Sequence, residues 1–179
     1  MFDQADLSGG SNPLEIDCED APKDSTQKFT KCEKEEICGK IAHINEDAKN
    51  NKGPYGGLKR IRKSAYKVNR SDGDNLCSNL NKAAQAGKPA DLGFHKMSPE
   101  CEAETRKKAE DSDYNSVSAD HVNEIQVGGH PTAGSNLRWM SRGPNSWMGG
   151  QMKKFKAPAD SWGRTEGGPH TGLKQKNCC

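Results

Sequence analysis

Apolar positions recur at helical spacing in the first half of the chain. Ile37, Ile41, Ile44 and Ala48 step by four, three and four residues, which stacks them on one face of a helix predicted over 30–49. The run Asn50-Asn51-Lys52-Gly53-Pro54-Tyr55-Gly56-Gly57 ends it, and the basic stretch 58–68 fits no one element. Leu76, Leu80 and Ala83 mark a second amphipathic helix over 74–86, with Gly87 as its stop. Ser98-Pro99 supplies an N-cap and a first-turn proline for a third helix ending near 110. That third segment is almost wholly charged and reads as a surface element.

The last third changes pattern. Residues 116–122 carry weak strand signals, 128–134 form a loop by composition, and Leu137-Arg138-Trp139-Met140 alternates as a short strand. Gly143-Pro144 then opens a helix through Phe155, with Trp147, Met148, Met152 and Phe155 on its buried side. The fold class expected is α+β. A mainly helical part over 28–115 precedes a small hairpin-and-helix unit over 116–157. A flexible leader or linker over 1–27 and a basic, Gly-rich tail over 158–179 flank them.

Composition narrows the reading. Of 179 residues, 31% are hydrophobic and 29% charged, so the core must be small. No run approaches the apolar length of a membrane span, and the first ten residues lack the basic and apolar regions of a secretory signal peptide. Neither a membrane nor classical secretion is expected. The net charge of +2 hides an uneven distribution: 1–38 carries −6, 39–70 carries +7 and 151–179 carries +4. The two basic segments suit either a solvated face or a polyanion-facing surface. The seven cysteines include no Cys-x-x-Cys pair, so no zinc knuckle is signalled. Cys178-Cys179 reads as a tail with reactive thiols. The other five read as mostly reduced, with Cys32–Cys38 or Cys77–Cys101 the pairs open to oxidation.

The chemistry concentrates in Ala119-Asp120-His121-Val122-Asn123-Glu124-Ile125-Gln126-Val127-Gly128-Gly129, then Ser135-Asn136-Leu137-Arg138-Trp139-Met140, then Gly143-Pro144-Asn145-Ser146-Trp147. His121 precedes Asn136 by 15 residues, and Asn136 precedes Asn145 by 9. A hairpin followed by a packed helix would bring the end of the first strand beside the first turn of the helix. Asp120 and Asn145 would then offer oxygen ligands to a hard cation such as Mg²⁺, and His121 could take a proton from water near neutral pH. The cation would stabilise charge on a scissile phosphate. Asn136 would hydrogen-bond the loop backbone and hold the His121 strand in place. His43, His95 and His170 carry no such spacing.

These residues resemble the HNH, or ββα-metal, nuclease motif over about a fifth of the chain. The resemblance implies metal-dependent cutting of nucleic acid, usually DNA. It implies His121 as general base, Asp120 and Asn145 as metal ligands, and Asn136 as the residue bracing the loop. Mg²⁺ is the expected ion, with Mn²⁺, Ni²⁺ or Zn²⁺ as alternatives. Glu124, Gln126, Gly128 and Gly129 would tie the loop together, while Arg138, His130, Lys153 and Lys154 are candidates for phosphate contact. The wider pattern is similar to C-terminal toxin domains of bacterial polymorphic toxins. It implies delivery by a PAAR- or Rhs-type module without a signal peptide, action in the cytoplasm of a target bacterium, and a cognate immunity protein. An RNase of the same fold and a non-catalytic nucleic-acid-binding ββα protein are the alternative readings.

Overall fold

A computed structural model describes residues 13–19, 28–50, 63–122, 124–125, 129–154 and 172–179, the side chains of 47–50 and 63–66 excepted. Its elements run β1 (Pro13–Asp17), α1 (Lys31–Asn50), α2 (Lys63–Gln85), α3 (Pro99–Asp111), β2 (Val117–His121), β3 (Leu137–Ser141), α4 (Arg142–Met152) and β4 (Gly172–Lys176). The chain is α+β. β2 and β3 pair antiparallel with Ala119 opposite Trp139, and α4 follows β3 without a break. β1 and β4 pair parallel, Leu14 opposite Leu173.

Two helices start where local chemistry supplies a side-chain cap. Thr30 and Glu33 exchange side-chain-to-backbone hydrogen bonds of 3.2 and 2.9 Å at the head of α1, closing a capping box. Ser98 Oγ accepts the Cys101 amide at the start of α3, ahead of Pro99. Gly87, just past α2, has φ +78°, the left-handed conformation that terminates helices at least cost in glycine. α2 is longer than its apolar spacing suggests, because the polar run Asn69–Asn75 continues the helix without an apolar side chain.

Two apolar clusters hold these elements. Ile37, Ile41 and Ile44 of α1 meet Met140 of β3, Trp147, Met148 and Met152 of α4, and Ile16 and Leu173 of the terminal sheet. Ala84, Ala109, Val117, Ala119 and Trp139 form the second, with Leu80, Phe94 and Tyr114 against it. Burying a large aliphatic side chain contributes about 1.5–3 kcal/mol, so the isoleucine stripe of α1 anchors the first cluster. Gly39 lets α1 lie against the backbone carbonyl of Lys96, where any Cβ would collide. α3 is less of a surface element than its charge suggests, since Cys101, Thr105 and Ala109 are buried along one face. Phe155 and the rest of 155–171 lie outside the described residues.

Two expectations are corrected. The leader and the tail are not merely flexible appendages, because Pro13–Asp17 and Gly172–Lys176 form a sheet whose Ile16 and Leu173 are fully buried. Cysteine pairing is different in kind: Cys18–Cys178, Cys32–Cys101 and Cys38–Cys179 are disulfides, and Cys77 is the one free thiol among the described residues. Neither Cys32–Cys38 nor Cys77–Cys101 forms, and the terminal Cys178 and Cys179 are both consumed. No described helix is long and apolar enough to cross a membrane.

Candidate functional site

A cavity of about 570 Å³ opens between α2, β2 and α4. Arg70, Asp74, Cys77 and Asn81 line it from α2, Asp120 and His121 from the end of β2, and Asn145 and Lys153 from α4 and its C-cap. Alternation along β2 does not put Asp120 and His121 on one bare face. Instead the strand ends there, and helices on both sides close over them. Asn81 Oδ1 accepts the Ala119 amide at 2.8 Å, so a side chain of α2 satisfies the outer edge of β2. On the far side of the hairpin, Trp139 donates to the Gly93 carbonyl at 2.8 Å, docking the segment that carries His95.

His121 is held by its ring nitrogens. Nε2 lies 2.8 Å from the Pro131 carbonyl oxygen, and Nδ1 lies 3.9 Å from Cys77 Sγ. A carbonyl only accepts, so Nε2 carries the proton and Nδ1 keeps its lone pair in the neutral ring. Gly73 of α2 sits against the other side of this ring, where a Cβ would crowd both the imidazole and Ile125. Burial, and then the Asp120 and Asp74 carboxylates, push the Cys77 thiol up to about 12. The neighbour of Nδ1 is therefore a neutral S–H group and not a thiolate.

Hydrogen bonds tie the loop between the strands. Asn136 Nδ2 donates to the His130 carbonyl at 3.0 Å, and the Asn136 carbonyl accepts the Val122 amide at 2.9 Å. Gly129 donates its amide to the Glu124 carbonyl at 3.0 Å. Gln126 and Gly128 lie outside the described residues. Of the four phosphate-contact candidates, Lys153 lines the cavity. Arg138 turns its guanidinium back onto the carbonyls of Leu137 and Ser135, at 2.6 and 3.5 Å. Lys154 bonds Gln151, and His130 Nδ1 accepts the amides of Thr132 and Ala133 at 3.2 Å. Arg138, Lys154 and His130 do not line this cavity.

Asp120 is engaged from behind. Lys40 Nζ lies 2.7 and 2.9 Å from its two carboxylate oxygens and 2.8 Å from Glu124 Oε1. His95 Nε2 lies 2.7 Å from Asp120 Oδ2. Lys40 and His95 side chains have no exposure at all. Burial opposes the ionised Asp120, but the Lys40 ammonium and the His95 hydrogen bond outweigh it and hold its pKa below the usual range. Burial likewise opposes the Lys40 charge, and the two carboxylates reverse it, so the lysine is raised and stays protonated. For His95 burial prevails and the pKa falls, so the ring is neutral, donates from Nε2 and leaves Nδ1 without a partner among the described residues.

The residues present do not fit a divalent ion at Asp120 in this arrangement. Both carboxylate oxygens already accept hydrogen bonds from Lys40 and His95, and Glu124 accepts from the same lysine. Asn145 shares the cavity with Asp120 but donates its Nδ2 to Ser118 Oγ at 2.7 Å. Among the described residues, no group of three or more His, Cys, Asp or Glu side chains is placed to hold a metal. Sequence reasoning missed Lys40, His95, Cys77, Arg70 and Asn81. One signal was available: Lys40 falls on the same helical face as Ile37, Ile41 and Ile44, where a lysine must find a buried anion. No protein-family model, curated protein or solved structure matches the chain.

Proposed function

We propose that the chain is an HNH-like nuclease that hydrolyses DNA phosphodiester bonds with His121 as general base. The observation that carries this reading is the orientation of His121: Pro131 fixes the Nε2 proton, so Nδ1 is the basic nitrogen of a cavity-lining ring. The hairpin, the Asn136 brace and the helix start bearing Asn145 supply the setting that the motif calls for. Lys153 gives the cavity a cationic side chain for a phosphodiester anion, and Arg70 lines the same wall in an ion pair with Asp74 at 2.9 Å. Water attacks phosphorus as His121 Nδ1 takes its proton. The bond to the leaving oxygen breaks, and that oxygen is protonated from solvent. Phosphate contacts without a base-reading element give little sequence specificity. The toxin role, the delivery module, the immunity protein and action inside a target bacterium accompany this proposal and rest on the sequence resemblance alone.

A second reading is a non-catalytic ββα protein that binds nucleic acid, and the engagement of Asp120 by Lys40 and His95 favours it. Incubation of the purified protein with supercoiled plasmid and with total RNA in parallel, with Mg²⁺ and then with chelator, separates the readings. Plasmid loss in the wild type and none in His121→Ala supports the nuclease. Binding without cleavage under every metal supports the second reading, and preferential RNA loss moves the substrate to RNA.

A further inference from the structure

We infer that Lys40 is the resident cation of this site: its ammonium, held between Asp120 and Glu124, takes the position at which an HNH-like centre would hold a divalent ion. The inference rests on reading Asp120 as that position. Three oxygens converge on Nζ at 2.7, 2.8 and 2.9 Å. These are charge-assisted N–H···O lengths, whereas Mg²⁺ needs oxygens at about 2.1 Å in near-octahedral number.

The lysine is also mechanically fixed. Cys38, two residues earlier, is bonded to Cys179, and Cys32 on the same helix is bonded to Cys101. Ile37, Ile41 and Ile44 are fully buried around it, and Gly39 abuts the Lys96 backbone. A divalent ion entering from the cavity would have to separate two carboxylates from an ammonium with no route to water, leaving that charge buried and unpaired. His95, its side chain fully buried as well, gives Asp120 Oδ2 a second hydrogen bond at 2.7 Å.

Two measurements without an activity readout test this. In the first, Mn²⁺ is titrated into the wild type and into Lys40→Met by calorimetry. The expected result is no binding lost on Asp120→Asn in the wild type, and binding at least about tenfold tighter in Lys40→Met, a difference of about 1.4 kcal/mol. In the second, which does not depend on the variant folding, native wild-type protein is reductively methylated with and without Mn²⁺ and mapped by peptide mass. Lys40 should stay unmodified in both. Wild-type Mn²⁺ binding that Asp120→Asn abolishes, or Lys40 methylation that appears once Mn²⁺ is added, overturns the inference. A protein that refuses Mn²⁺ yet fails to cut plasmid leaves this inference standing while the proposed function falls.

Discussion

His121 Nε2 lies 2.8 Å from the carbonyl oxygen of Pro131, ten residues further along the chain. That contact decides which nitrogen of the ring is basic, and it ties the end of β2 to the loop that Asn136 braces from His130. The loop therefore orients the His121 ring as well as closing the hairpin.

Removing the Asn136 amide should loosen that orientation without touching the ring. Asn136→Ala is expected to reduce nuclease turnover while circular dichroism stays native-like, and the loss should be smaller than that of His121→Ala. General-base contributions are typically about 10²–10⁴-fold. Initial nicking rates on supercoiled plasmid check this, and an Asn136→Ala rate equal to wild type contradicts the bracing role.

The buried ion cluster should dominate stability. Asp120→Ala leaves the Lys40 ammonium with Glu124 alone and is expected to destabilise by about 3–5 kcal/mol. The folded pKa of Asp120 is depressed, so its contribution is present above the unfolded carboxylate range and is lost as pH falls through the folded value. Urea melts of wild type and variant across acidic pH should therefore converge as the pH falls. Parallel curves would contradict the ion pair.

Glu36 is buried on α1 with Oε1 accepting the Ser141 amide at 3.2 Å and Oε2 without a partner among the described residues. Burial raises its pKa from 4.5 to about 7, against the weaker pull of the Ser141 hydrogen bond. The sign is opposite to that of Asp120. Between about pH 4.5 and pH 7 the unfolded chain loses this proton and the folded chain keeps it, so stability falls across that window. Glu36→Gln should flatten the fall, read as Tm against pH. An unchanged slope would contradict it.

Each disulfide closes a long loop, Cys18–Cys178 spanning 160 residues and Cys38–Cys179 spanning 141. Loss of either should cost about 2–5 kcal/mol. Thermal melts with and without a thiol reductant check this, and coincident melts would contradict it. Cys77 should remain inert: with its pKa at about 12, little thiolate exists at pH 8, and iodoacetamide labelling of the native protein should be slow.

The parts legible in the sequence are those fixed by local chemistry. Ile37, Ile41 and Ile44 mark the buried face of α1 by spacing, Gly87 and Ser98-Pro99 mark helix ends, and Leu137–Met140 marks β3. The terminal sheet was illegible because it joins Leu14 and Ile16 to a strand some 160 residues away, with few apolar residues on either side. Cysteine pairing was illegible for a related reason, since the sequence does not say which of the seven cysteines stays free, and each choice leaves six with 15 connectivities. At the site, Asp120, His121 and Asn145 line one cavity, while Asn136 lies in the loop beside it. The partner of Asp120 could not be read from the sequence, because Lys40 comes from another element 80 residues earlier.

The measurement closest to the central claim is the rate of plasmid cleavage by wild-type protein and by His121→Ala, purified and assayed side by side. The orientation of His121 predicts conversion of supercoiled plasmid by the wild type and a fall of at least about 10²-fold in the variant. Equal cleavage by both proteins would remove His121 from the chemistry and the nuclease site with it.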